Sequence, residues 1–327
     1  MDIHPWIWGV TVVVTVAVLL FDVVIVGRRP HEPSMRECAR ALTFFVGAAV
    51  LFGLGVWFFA GGTYGGQFFA GWITEYSLSV DNLFVFLIIM AKLGVPREYQ
   101  QTALLVGIVI ALVMRGAFIA VGAAAIAQFS WIFYVFGLFL IYSAVKLARD
   151  DDLDGDEYDE PRLVGWLRTH LPLTETWHGV KVLARENGSR VLTPMFIVVV
   201  SLGVTDLLFA LDSIPAIFGL TSEPFLVFTA NVFALMGLRQ LYFLIGGLLE
   251  RLVYLSLGLS VLLGFIGVKL ILEALHSNEL PFLYGGEPVP WAPAVPIWVS
   301  LVAIVAILAV TTVASLAKDR AEARADA

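Results

Sequence analysis

Two stretches of the chain share one nine-residue pattern, Thr74-Glu75-x5-Asp81-Asn82 and Thr205-Asp206-x5-Asp212-Ser213, each inside a long apolar run. An acid at the centre of a membrane helix costs roughly 2.5 to 3.5 kcal/mol to insert even on lenient scales. Four such acids at matched spacing point to a positively charged ligand. The donors at this depth are the oxygens of Glu75, Asp81, Asn82, Asp206, Asp212 and Ser213, whereas His4, His31, His170, His178 and His276 fall in loops or at span ends. Oxygen-only ligation suits hard divalent ions such as Mg2+, Ca2+ or Mn2+ and argues against Cu+ or a tetrahedral zinc site. Met114 and Met236 are read as packing residues rather than soft ligands.

Arg115 and Arg239 lie in mid-span, where each is expected to neutralise an acid and balance charge when the ion leaves. A purely structural ion-pair role is the simpler alternative. Against it, two arginines leave two of the four acids unmatched, a deficit that a divalent cation would cancel. Asp22, near the basic end of the first span, is a candidate gate or proton relay, with snorkelling to the interface as the alternative. Lys146 and Lys269 are expected near opposite membrane faces and are read as structural anchors.

These residues must be positioned by helices in lipid. Of 327 residues, 59% are hydrophobic and 14% charged, with a mean hydropathy of +0.88. No water-soluble domain of this size carries such a composition, so the chain is read as an all-α polytopic membrane protein. Apolar runs of about 20 residues mark about nine spans: Trp6–Val26, Ala41–Ala60, Phe68–Met90, Thr102–Gly122, Trp131–Leu147, Pro194–Phe218, Phe225–Leu248, Leu252–Ala274 and Pro296–Leu316. Lys and Arg occur in alternate loops, which places the N-terminus outside and the C-terminus in the cytoplasm. The first span lacks a basic n-region and is read as a retained helix. The one cysteine, Cys38, is expected in a cytoplasmic loop, which leaves no disulfide framework.

The repeat is longer than its acidic motif. Arg115 and Lys146 are 31 residues apart, Arg239 and Lys269 are 30, and each pair follows one acidic copy. A three-helix unit thus occurs twice, and an odd number of helices makes the second copy inverted. Within each acidic helix, residues seven apart differ by only about 20° around the axis. Glu75 therefore aligns with Asn82, and Asp206 with Ser213. Pro215 permits a broken helix whose freed carbonyls would join the site.

The organisation read from these signals is two N-terminal helices (1–67), a first repeat (68–149), an acidic cytoplasmic loop (150–193), a second, inverted repeat (194–276), and an external loop, last helix and cytoplasmic tail (277–327). The loop opens with eight acids between Asp150 and Glu160. Its start matches a calcium loop, but Pro161 stands where the bidentate Glu is required, so a solvated linker is the preferred reading over a cation sensor.

The runs Glu75-Tyr76-Ser77-Leu78-Ser79-Val80-Asp81-Asn82-Leu83-Phe84-Val85-Phe86 and Asp206-Leu207-Leu208-Phe209-Ala210-Leu211-Asp212-Ser213-Ile214-Pro215-Ala216-Ile217, with Met236-Gly237-Leu238-Arg239, resemble the TerC family of bacterial integral membrane proteins, especially its Alx-like members. The resemblance covers nearly the whole chain. It implies Mn2+ export from the cytoplasm across the bacterial inner (plasma) membrane, in a family named for tellurite resistance and linked to metalation of exported proteins. An acid in the first helix of the Alx pattern is matched by Asp22. No permanent cofactor, enzymatic activity or nucleic-acid partner is expected; the partners are a divalent metal ion and the bilayer, with protein partners and oligomeric state left open. Two alternatives stand beside the transporter: a membrane scaffold or assembly factor whose buried charges are structural, and an intramembrane aspartyl hydrolase using Asp81 and Asp206, which lacks a Gly-x-Gly-Asp setting.

Overall fold

The computed structural model describes residues 4–28, 33–129, 131–149, 162–174, 176–186, 189–249, 254–276, 278, 280 and 283–325. The chain is built from long apolar helices: α1 (Pro5–Arg28), α2 (Met35–Ala60), α3 (Gly62–Lys92), α4 (Arg97–Gln128), α5 (Ile132–Arg149), α7 (Pro194–Phe218), α8 (Pro224–Leu249), α9 (Leu255–His276) and α10 (Ile297–Ala325). Among the described residues, eight of them are long and apolar enough to cross a membrane, and α1 adds an apolar stretch over Pro5–Val18. Their outward faces carry side chains such as Phe58, Phe59, Leu138 and Val310, with Phe59 95% exposed. Such a surface belongs in lipid, where helices satisfy their backbone polar groups internally.

Between α5 and α7 the structure adds a short helix, α6 (Arg162–His170), and a hairpin of β1 (Leu183–Glu186) and β2 (Ser189–Leu192), an element that the helical reading of the sequence does not contain. Four-residue strands fall below the length at which periodicity separates strand from loop. Trp177, Val180 and Val182 of this segment pack onto the apolar core beneath it. The acidic run from Asp150 to Glu160 lies outside the described residues.

Two local expectations are corrected. Cys38 is not in a loop: Ser34 caps α2 by accepting the Glu37 amide at 3.3 Å, so the helix starts ahead of its apolar run and buries Cys38 at the close of its first turn. Nor does Pro215 break α7, which continues to Phe218. Pro215 sits so near the C-terminus that the one intrahelical bond it forfeits is to the Leu211 carbonyl.

The helix pairs cross in a regular pattern. α5 and α9 form the most extensive pair and run antiparallel: Tyr134 donates to the Ala274 carbonyl at 2.9 Å, Gly137 lies against Ile271, Gly267 against Ile141, and Gly264 against Ala144. A Cβ on Gly137 or Gly267 would come within 2.9 Å of the other's carbonyl oxygen. Only glycine allows the backbones to approach this closely. The pairs α3 with α8 and α4 with α7 instead run parallel. Gly71 meets Ala230 and Tyr76 meets Gly237 in the first; Gly107 meets Leu202 and Gly122 meets Phe218 in the second.

Candidate ion-binding site

The parallel and antiparallel crossings bring α3, α4, α7 and α8 together around Arg115, which is fully buried. Its guanidinium grips Asp206 with two hydrogen bonds of 3.0 Å, Nε to Oδ2 and Nη2 to Oδ1. Nη1 donates to Glu75 Oε1, to Asn231 Oδ1 at 3.0 Å and to Ser213 Oγ at 3.3 Å. Asn231 is held for this by its own amide, which donates to the Val227 carbonyl at 3.0 Å. The fork geometry of arginine suits bidentate pairing, and burial makes each such bond count for more than in water. The alignment of Asp206 with Ser213 expected from helical spacing is realised, since both reach the same guanidinium.

The centre is not fully satisfied. One guanidinium serves two carboxylates, Glu75 and Asp206, which leaves one negative charge in excess. Glu75 Oε2 and the hydroxyls of Thr74 and Thr205 are buried without a hydrogen-bond partner. Buried polar atoms in native structures are nearly always bonded, so the open Oε2 of Glu75, on a carboxylate already held by Arg115, is an acceptor available to a further ligand.

Asp212 stands apart from this centre. It is half-buried, accepts a 2.7 Å hydrogen bond from Ser143 Oγ on α5, and faces a cavity of about 330 Å³. Asn82, Ser213, Tyr142, Lys146, Phe139 and Leu78 line the same cavity. Ser213 belongs to both places, contacting Arg115 and forming cavity wall. The structure thus joins Glu75, Asp206 and Ser213 at Arg115, and Asp212, Asn82 and Ser213 around the cavity. Among the described residues no group of three or more His, Cys, Asp or Glu converges. Asp81 in α3 and Asp22 in α1 lie on described helices, but their side chains are outside the described residues.

Arg239 lies in a different pocket, with Val18, Phe45, Leu105, Ile108 and Met236. With the Gln240 amide turned to satisfy both of its ends, Gln240 accepts from Arg239 Nη2 at 2.9 Å. Lys269 departs from its expected anchoring role: it is buried and donates to the Gly219 carbonyl at 2.8 Å, closing the C-terminus of α7. A cation at a helix C-terminus meets the negative end of the dipole, which offers the ammonium a partner without reaching the interface. Lys146 is exposed and borders the Asp212 cavity. Asn231 and Ser143 are site residues that lie outside the repeated acidic motif. Each is a single polar residue within an apolar helix, a signal visible in the sequence but too common to act on alone.

Helical architecture and this charge centre define a polytopic integral membrane protein. The chain belongs to the integral membrane protein TerC family, whose model matches residues 60–323. It is 48% identical over 287 residues to the uncharacterized membrane protein Rv2723 of Mycobacterium tuberculosis H37Rv, covering 87% of this chain and 72% of that one. It is 40% identical over 266 residues to the uncharacterized membrane protein STKORF319 of Myxococcus xanthus, covering 81% and 83%. Alx of Escherichia coli K12, named as a proposed membrane-bound redox modulator, is 38% identical over 277 residues, covering 82% and 86%. No solved structure matches the chain.

Proposed function

We propose that the protein is an inner-membrane transporter of divalent metal cations, exporting Mn2+ from the cytoplasm by alternating access between two inverted repeats. The observation that carries this reading is the buried Arg115 centre, with its excess negative charge and orphaned oxygens, standing beside a cavity that holds Asp212. The substrate ion would be held by oxygens of Glu75, Asp206, Asp212, Asn82 and Ser213, with Asp81 as the remaining acid. Cation binding at the centre and the Arg115 contacts to Glu75 and Asp206 would exclude one another. Such an exchange gives Glu75 and Asp206 a positive partner at every stage, because a buried acid left without a partner is strongly destabilising.

The helix crossings support an inverted repeat of α3–α5 and α7–α9. Corresponding helices α5 and α9 are antiparallel, and the parallel cross pairs α3–α8 and α4–α7 are the two that a pseudo-two-fold would exchange. Moving a divalent ion outward against an inside-negative potential costs roughly 4.6 kcal/mol per 100 mV, so export requires coupling. Inward proton movement through the same carboxylates is the economical partner. The scaffold alternative explains the Arg115 ion pairs but gives no role to the orphaned oxygens or the cavity. A redox role, as in the name of the Alx relative, has one thiol to draw on, the buried Cys38.

The test is flux of Mn2+, Ca2+, Mg2+ and Zn2+ into liposomes holding purified protein, compared with Asp81→Asn and Asp212→Asn. Loss of metal flux in folded variants is expected. Indifference of wild-type Mn2+ movement to a pH gradient defeats the proton coupling, and equal behaviour of wild type and variants defeats the site.

A further inference from the structure

The cavity beside Asp212 contains a charge that the transport reading above does not use. Lys146 follows Ser143 by three residues on α5, so both side chains lie on one face of that helix. That face turns to α7: Ser143 Oγ donates to Asp212 Oδ1, and Lys146 borders the same cavity. Among the described residues Asp212 makes no other hydrogen bond, which leaves its second oxygen for whatever occupies the cavity.

The equivalent lysine of the second repeat sets the contrast. Lys269 is buried and fixed to the carbonyl of Gly219, against which Ile266 and Leu270 pack. Ser143 corresponds there to Ile266, which has no oxygen to offer. One copy of the position is a closed structural contact. The other is an exposed ammonium beside a half-buried acid in a cavity wide enough for a hydrated ion.

We infer that Lys146 and Ser143 belong to a loading site for the transported cation, in which Ser143 orients the Asp212 carboxylate and Lys146 is a tethered competitor that a divalent ion must displace. The inference rests on the ion-transport reading but concerns binding, which is measurable without flux. An ammonium carries one positive charge and the substrate ion two. Attraction to a single carboxylate scales with charge, so the divalent ion displaces the tether while a monovalent ion gains nothing over it. Lys146 is therefore a specificity-determining residue rather than an anchor: it lowers affinity for every cation and excludes the abundant monovalent ones.

The experiment is equilibrium binding of Mn2+ to the purified full-length protein in detergent, followed by loss of the free-ion electron paramagnetic resonance signal, with and without excess K+. Lys146→Met should bind Mn2+ about tenfold more tightly than wild type, the order expected for removing one unit charge from a partly screened site. Its binding should also become sensitive to K+. Lys146→Arg, which keeps the charge, should bind as wild type, and Asp212→Asn should erase the difference between Lys146→Met and wild type. If Lys146→Met binds Mn2+ as wild type does and stays insensitive to K+, the loading-site role of Lys146 is overturned. Binding that follows the expected order without flux in liposomes would refute transport and leave this site standing.

Discussion

The two repeats share a sequence pattern but place its basic residues in different surroundings. Arg115 of the first is sealed among Asp206, Glu75, Asn231 and Ser213, while Arg239 of the second sits in another pocket with Val18 and Phe45. Lys269 is locked against Gly219, while Lys146 stands in a cavity. Equivalent positions in an alternating-access carrier are expected to diverge in this way, because one conformation opens one repeat's side of the site and closes the other's. A scaffold whose charges only fix helix register has no need of such asymmetry.

The largest effect expected from breaking the comparison is at Arg115. Replacement by Met leaves Glu75 and Asp206 buried without a counter-charge, at a cost of about 3 to 5 kcal/mol. Thermal unfolding of the detergent-purified variant should show a correspondingly large fall in Tm, and a near-native Tm would mean that the two acids are not held by this guanidinium.

Next come the two lysines, which should separate cleanly. Lys269→Met leaves the Gly219 carbonyl without its charged donor and should cost about 1.5 to 3 kcal/mol, the range for hydrogen bonds to charged groups. Lys146→Met, at an exposed position, should stay within about 0.5 kcal/mol of wild type. Equal destabilisation by both would remove the contrast on which the loading site rests.

How much of this was legible beforehand depends on the kind of signal. The spans, the acidic motifs and the alignment of Asp206 with Ser213 follow from apolar run length and the helical repeat, both local properties. The meeting of Glu75 with Asp206 across a single arginine is set by which helices cross, and no spacing within one helix reports that. Lys269 illustrates the limit best. Its place near a span end reads as snorkelling, and the α7 carbonyl that captures it comes from 50 residues away. The hairpin after α6 escaped because its strands are too short for a period to emerge.

A smaller perturbation tests the antiparallel crossing of α5 and α9. Gly267→Ala places a Cβ 2.9 Å from the Gly137 carbonyl and 3.1 Å from the Ile141 amide nitrogen, neither of which can yield without moving backbone. Overpacking of this kind costs about 1 to 3 kcal/mol. Gly264→Ala, on the same helix, meets only Ala144 at 3.7 Å and should be neutral or slightly stabilising. The pair is compared by Tm at equal expression, and a neutral Gly267→Ala would mean that α5 and α9 do not approach backbone to backbone.

The smallest expected change is at Ser143, and it discriminates most finely between a structural and a functional Asp212. Ser143→Ala removes one hydrogen bond from a half-buried carboxylate, a loss of about 0.5 to 1.5 kcal/mol in stability. If Asp212 serves only the fold, the effect ends there and Asp212→Asn, which keeps an acceptor for Ser143, is silent. If Asp212 holds the arriving ion, Ser143→Ala should weaken Mn2+ binding severalfold by freeing the carboxylate to rotate, while Asp212→Asn abolishes binding at unchanged Tm. The position of Ile266 then supplies the converse: in the closed half an apolar side chain occupies the place of Ser143, so Ile266→Ser should leave Mn2+ affinity unaltered in the conformation that keeps Lys269 buried.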